Sequence, residues 1–194
     1  ALAHNLGVVR QYVPCSRIMA VVKADAYGHG LLHTASALKD VDGFALLELD
    51  AAISLRDAGY QQPILLLEGF FSTEELALFE QYRLSAVIHH SEQIAMLSDS
   101  KHHNLDLFLK INTGMNRLGL APEQFPQIMK ALTDHPGIDS ITLMTHFASA
   151  DDPLEEDEVF QQLQYFEAIT QNHKYPHSLA NSAAIIRYPV THAD

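Results

Sequence analysis

Lys23 ends the apolar run Ile18-Met19-Ala20-Val21-Val22 and is followed closely by Tyr27, Gly28 and Gly30. A short run rich in β-branched residues predicts a strand buried on both faces, so the polar break puts an amine at that strand's carboxyl end. In parallel α/β barrels the sites lie at that end. A lysine held there against apolar walls loses proton affinity and becomes an amine nucleophile. Three further sets lie where apolar runs end: Lys110 with Arg117, then His146, then Asn181 with Ser182. Together they offer cations, an imidazole and, at Ser182, a helix amino terminus suited to a phosphate. Spacing alone also admits plainer roles: a strand-capping lysine in water, an arginine paired with a surface acid, a core histidine and an ordinary helix cap.

The wording of these strings narrows the choice. Ala20-Val21-Val22-Lys23-Ala24-Asp25-Ala26-Tyr27-Gly28-His29-Gly30 resembles the pyridoxal-phosphate lysine motif of alanine racemases. That resemblance implies that Lys23 forms the internal aldimine with pyridoxal 5'-phosphate and that Tyr27 contacts the cofactor phosphate. Lys110-Ile111-Asn112-Thr113-Gly114-Met115-Asn116-Arg117-Leu118-Gly119 is similar to a second motif of the family. It implies that Arg117 donates toward the phenolic oxygen and that Lys110 is carboxylated, its carbamate holding Arg117 by charge-assisted hydrogen bonds. Thr145 to Asp151 resembles a sixth-strand signature that sets His146 near the cofactor ring. Ala180-Asn181-Ser182-Ala183-Ala184 resembles the segment whose serine binds the phosphate.

By this resemblance the expected reaction is L-alanine to D-alanine, supplying D-alanine for peptidoglycan, with Lys23 as the base on one face of the α-carbon. A tyrosine from a partner subunit's carboxyl-terminal domain would serve the other face of the α-carbon in a homodimer. That tyrosine, an arginine facing the pyridine nitrogen, the last barrel strand and a β-rich domain are expected beyond residue 194, and the chain alone is expected to be inactive. Two rival readings are a single-domain pyridoxal-phosphate homeostasis protein, against which the Tyr27 and Arg117 motifs argue, and an inactive fragment that serves folding or association.

Composition limits the partners. The chain has 194 residues, is 47% apolar and carries a formal net charge of -12, with Lys and Arg spread singly. One principal domain over 1–194 is expected, with no nucleic-acid surface and no basic membrane-binding face. Cys15 is the only cysteine, which leaves no intrachain disulfide and points to a reducing, cytoplasmic compartment. No apolar run approaches the roughly 20 residues that cross a bilayer. The adjacent pairs His89-His90 and His102-His103 would point to opposite faces of a strand, so no metal site is expected.

The elements that must position these residues alternate along the chain. An amphipathic helix over Leu2 to Val13 ends at Pro14, and Ile18 to Val22 is the first strand. A helix through Leu31, Ala35 and Leu38 leads to a strand at Phe44 to Leu47, then a helix from Asp50 to Ala58 stopped by Gly59. Ile64 to Leu67 is a third strand, and Ser72-Thr73-Glu74-Glu75 predicts a hydroxyl N-cap with acids in the first turn of the next helix. Ala86 to Ile88 and Leu105 to Ile111 are strands flanking a helix from Ser91 to Leu97 and a polar loop from Ser98 to Asn104. A helix from Pro122 to Leu132, a strand within Ile138 to Phe147, an acidic loop from Asp151 to Glu158, a helix from Val159 to Asn172, a strand holding Leu179 and a helix through Ile185 and Arg187 complete the series.

Serial strand–helix units predict an α/β fold with a parallel sheet. Seven such units match a (β/α)8 TIM-type barrel lacking its last strand, since a whole one takes about 250 residues. An open doubly wound sheet is the runner-up, but the first strand–helix loop lacks G-x-G-x-x-G and no P-loop appears anywhere.

Overall fold

Leucine, isoleucine and valine dominate the short runs, and such residues hold a strand only if both faces find apolar neighbours. The computed structural model describes residues 1–98 and 103–194, and among these seven strands form one sheet in chain order. They are β1 (Met19–Val21), β2 (Gly43–Leu46), β3 (Ile64–Leu66), β4 (Ser85–Ile88), β5 (Leu105–Lys110), β6 (Ile138–Met144) and β7 (His177–Ser178). Every neighbouring pair is parallel, with helices in the connections. The sheet curls into a partial β/α barrel, in which β1 pairs only with β2 and β7 only with β6. The expected loop from Ser98 to Asn104 falls largely outside the described residues, as does His102.

The helices are α1 (Leu2–Tyr12), α2 (Lys23–Gly28), α3 (Leu31–Ala37), α4 (Leu49–Asp57), α5 (Leu76–Tyr82), α6 (Ser91–Ser98), α7 (Phe125–Thr133), α8 (Glu156–Thr170) and α9 (Ser182–Arg187). Strand alternation divides the side chains. Leu46, Ile64, Leu66, Ile88, Leu107, Leu109 and Leu143 face outward and pack with Leu55, Phe79, Leu97, Leu132 and Phe166 of the helices in one main core. Each fully buried side chain of this size stabilises the fold by roughly 1.5–3 kcal/mol. Ala45, Leu65 and Val87 face the concave side, with Met19, Leu67, Phe108 and Met144 against them. Register carries this concave side upward in layers: Ser85, Asp106 and Ser140, then Val87, Phe108 and Thr142, then Lys110 and Met144. Asp106 accepts a hydrogen bond from Ser140 at the amino-terminal end, so the acid and Lys110 lie at opposite ends of β5.

Four expectations need correction. β1 is not buried on both faces: Val21 is 43% exposed, because this strand has a neighbour on one flank only. The hydroxyl N-cap at Ser72 does not form; α5 starts at Leu76, after a turn in which the Glu75 carboxylate accepts the Phe71 N–H at 2.7 Å. The acids Glu156 to Glu158 are the first turn of α8 and not loop, at the helix end where negative charge is favoured. Leu179 lies just past β7.

Arg56 of α4 closes the outer layer. Its guanidinium donates from Nε to Tyr82 O (2.7 Å), from one terminal nitrogen to Tyr60 O (2.8 Å) and Gln62 O (2.7 Å), and from the other to Arg83 O (2.8 Å). Two of these carbonyls belong to the end of α5, which would otherwise lack partners, and Arg83 itself turns left-handed there (φ 49). Only a planar fork reaches all four. Arg56→Ala is expected to lower unfolding free energy by about 2–4 kcal/mol, and Arg56→Lys to recover less than half of that. Urea titration of the purified variants measures it; an Arg56→Lys protein as stable as wild type would contradict the clamp.

Candidate functional site

Val22 continues the ladder one residue past β1, its N–H donating to Ala45 O at 2.8 Å. The chain then turns left-handed. Ala24 (φ 51), Asp25 (φ 51), Ala26 (φ 53) and Tyr27 (φ 54) follow one another in that conformation, so Lys23 opens a left-handed helical turn and does not simply end a strand. Each such residue without glycine's freedom costs roughly 1–2 kcal/mol. The turn is tied at both ends to offset this. Ala26 N–H donates to Val22 O (3.0 Å), Gly30 N–H to Asp25 O (3.0 Å) and His29 Nδ1–H to Ala26 O (2.9 Å). Asp25 Oδ1 accepts the Leu31 N–H at 2.7 Å, and Ala26 is buried in the main core. The outcome sets Lys23 Nζ 6.0 Å from the centroid of the Tyr27 ring, which is itself mostly exposed.

Lys110 reaches the same mouth from the concave side of β5 and is 8% exposed. Burial first, then the Arg117 and Lys23 charges, push its amine down from 10.5 to about 8. His146, just past β6, is pushed down from 6.5 to about 4 by burial and then by Lys110, Arg117 and Lys23. The expected groups Lys23, Lys110, Arg117 and His146 are therefore brought together. Among the described residues, no carboxylate forms an ion pair with Lys23, Lys110 or Arg117.

Arg117 rides on a loop whose ends are pinched together. Asn112 N–H donates to Leu120 O (3.0 Å) and Leu120 N–H to Lys110 O (2.9 Å). Inside the loop, Asn112 Oδ1 accepts from Gly114 N–H (3.2 Å) and Asn116 N–H (3.0 Å), and its Nδ2 donates to Asn116 Oδ1 (2.9 Å). At Gly119 (φ +128) a Cβ would lie 2.8 Å from Asn112 N, so only glycine lets the loop close.

Asn181 and Ser182 stand at the amino terminus of α9. Asn181, and not Ser182, caps α9: its Oδ1 accepts the Ala184 N–H at 3.0 Å and its Nδ2 donates to Phe147 O at 3.3 Å. Ser182 is the first residue of the helix, with its side chain toward solvent.

One neighbour of the cluster escapes a reading of the sequence. His89 follows Ile88, whose register partner is Leu109, so the next residue pair is His89 with Lys110. Its Nε2–H donates to Glu68 O at 3.1 Å, and burial holds the ring below its ordinary range with Lys110 adding to the effect. Buried Gln93 fixes this corner. Its Oε1 accepts the His89 and His90 N–H groups (2.9 and 3.2 Å) while its Nε2 faces Glu68 O at 3.0 Å. The doubled histidine is the one signal that hints at it, and a pair of that kind raises the question of metal chelation first.

A positive mouth in which no described carboxylate pairs with Lys23, Lys110 or Arg117, with a lysine at the exit of the first strand, suits an anionic aldehyde, and the sequence comparisons decide which family built it. The model of the alanine racemase amino-terminal domain matches residues 1–194. The chain belongs to that family. It is 60% identical over 197 residues to an alanine racemase of Nitrosomonas europaea and 57% identical over 195 residues to one of Nitrosospira multiformis, covering 100% of this chain in each case. The chain spans about half the length of these relatives, 54% and 55%. The crystal structure of the biosynthetic alanine racemase from Pseudomonas aeruginosa superposes with a TM-score of 0.91 at 39% identity, over all of this chain and 54% of that one. The fold is accordingly that of the alanine racemase barrel domain. Among the described residues no helix is long and apolar enough to cross a membrane.

The Lys110 environment makes a prediction for the protein without added ligand in decarbonated buffer. The unfolded chain binds more protons than the folded one between pH about 8 and 10.5, so wild-type stability rises with pH through that window. Lys110→Met removes the buried charge and should be more stable than wild type below pH 8. The gain should fade toward pH 10.5. Urea unfolding at several pH values measures it; a difference independent of pH, or a variant less stable at pH 7, would contradict the electrostatic reading.

Proposed function

We propose that residues 1–194 are the pyridoxal-phosphate-binding barrel portion of an alanine racemase, interconverting L-alanine and D-alanine. The observation that carries this reading is the convergence of Lys23, Lys110, Arg117 and His146 at one mouth, where no carboxylate among the described residues pairs with the three cations. Those donors fit a dianionic phosphate, a phenolic oxygen and an aldehyde. When bound, pyridoxal 5'-phosphate supplies an electron sink for negative charge at an amino acid's α-carbon.

In this reading Lys23 is the residue that would hold the cofactor by its aldehyde, and its free amine would take the α-proton on one face of the substrate. Tyr27 and Ser182 donate toward the phosphate, and Asn181 keeps the first turn of α9 in place behind them. Arg117 donates toward the phenolic oxygen. His146 stays neutral at physiological pH, because burial and three cations hold it near 4, so it packs beside the ring without adding charge. An amine near 8 is partly unprotonated at pH 7.5, and Lys110 in that state forms an N–C bond to carbon dioxide, releasing a proton. The carbamate then pairs with Arg117 and relieves the local repulsion. The second base comes from a partner subunit of a homodimer, the enzyme is cytoplasmic, and its D-alanine supplies peptidoglycan.

A coupled D-alanine assay on the full-length protein with added cofactor tests the reading. D-Alanine should form from L-alanine, and Lys23→Ala should lower the rate by at least about 10³-fold. Cofactor retention without racemisation would indicate a carrier. Racemisation that survives Lys23→Ala would reject the assignment of the base.

A further inference from the structure

We propose that Gln162 of α8 is a positioning residue, which locks His146 to the Arg117 loop through a one-way hydrogen-bond chain behind the cation cluster, a role that rests on the cofactor-site reading above. Gln162 is 5% exposed, and its amide makes its contacts with the segments that leave β5 and β6. Its Oε1 accepts the Ala148 N–H at 2.9 Å. The two Nε2 hydrogens go to His146 O at 3.1 Å and Thr113 Oγ1 at 3.3 Å.

The direction of the chain follows from what each group can do. Thr145 Oγ1 donates to Ile111 O at 3.0 Å, a carbonyl that only accepts. Its partner Thr113 Oγ1, 2.7 Å away, must then donate to it and so has a lone pair free for Gln162. Protons thus run from Gln162 to Thr113 to Thr145 to Ile111, an arrangement in which each bond polarises the next. Gly114 makes the approach feasible: a Cβ there would stand 3.1 Å from Gln162 Cγ. Thr113 lies between Asn112 and Gly114, within the same hydrogen-bonded loop that carries Arg117. Loss of the amide would leave buried partners unmatched at His146 and Thr113 together, and the two groups would lose their common reference.

The test uses full-length apoprotein and titration with pyridoxal 5'-phosphate, reading the dissociation constant and the absorption maximum of the bound cofactor. Gln162→Leu and Thr113→Val should each weaken binding about tenfold and shift the maximum. Thr113→Ser keeps the hydroxyl and should stay within about twofold of wild type, and the double variant should be no weaker than the worse single one, as for members of one network. If Gln162→Leu fails to fold, the Thr113→Val and Thr113→Ser pair decides the same question. Losses under about threefold, or losses that multiply in the double variant, overturn the proposal. Normal binding by wild type and variants alike would reject this inference alone; absence of cofactor binding by wild type would reject the cofactor reading with it.

Discussion

Lys110 is buried beside the charges of Arg117 and Lys23, none of the three pairs with a carboxylate among the described residues, and the surrounding architecture is the means of tolerating that. The amine gives up proton affinity, and the imidazoles of His89 and His146 are held toward their neutral forms. The chain as a whole carries a net charge of -12, so the positive mouth is local and its field contrasts with the rest of the surface. Such a mouth stays electrostatically unfavourable until an anion arrives, which is the usual relation between a binding site and the fold that supports it.

Holding repelling groups in place needs rigid supports, and the barrel places these just outside the mouth. The left-handed turn after Lys23 is strained but tied by Asp25 and by the burial of Ala26. Two buried glutamines perform parallel duties at other strand exits. Gln93 joins the end of β4 to the loop after β3, and Gln162 joins the exits of β5 and β6. In both places a glycine with positive φ allows the approach: a Cβ on Gly69 would stand 2.5 Å from Gln93 Nε2, and one on Gly114 close to Gln162 Cγ.

The seven strands are legible in the sequence because each is a short apolar run between helical patterns, and the order of strands in the sheet follows from their order in the chain. Lys23, Lys110, Arg117 and His146 are legible as polar breaks after those runs. What surrounds them is not. Nothing in Ala24-Asp25-Ala26-Tyr27 announces a left-handed turn, since all three residue types favour the right-handed region and only tertiary contacts override this. Gln162 reads locally as one more polar residue on an amphipathic helix, and its burial depends on a glycine 48 positions earlier in the sequence. The cap of α9 falls to Asn181 because its side chain reaches the Ala184 N–H, whereas Ser182 is already inside the helix.

The central claim is that this whole arrangement serves one amine, Lys23. Borohydride reduction of the full-length protein with bound pyridoxal 5'-phosphate, followed by peptide mass mapping, tests it most directly. The account predicts a single reduced pyridoxyl adduct on the peptide carrying Lys23, with Lys110 unlabelled. An adduct on Lys110 or any other lysine, with Lys23 unmodified, would contradict it.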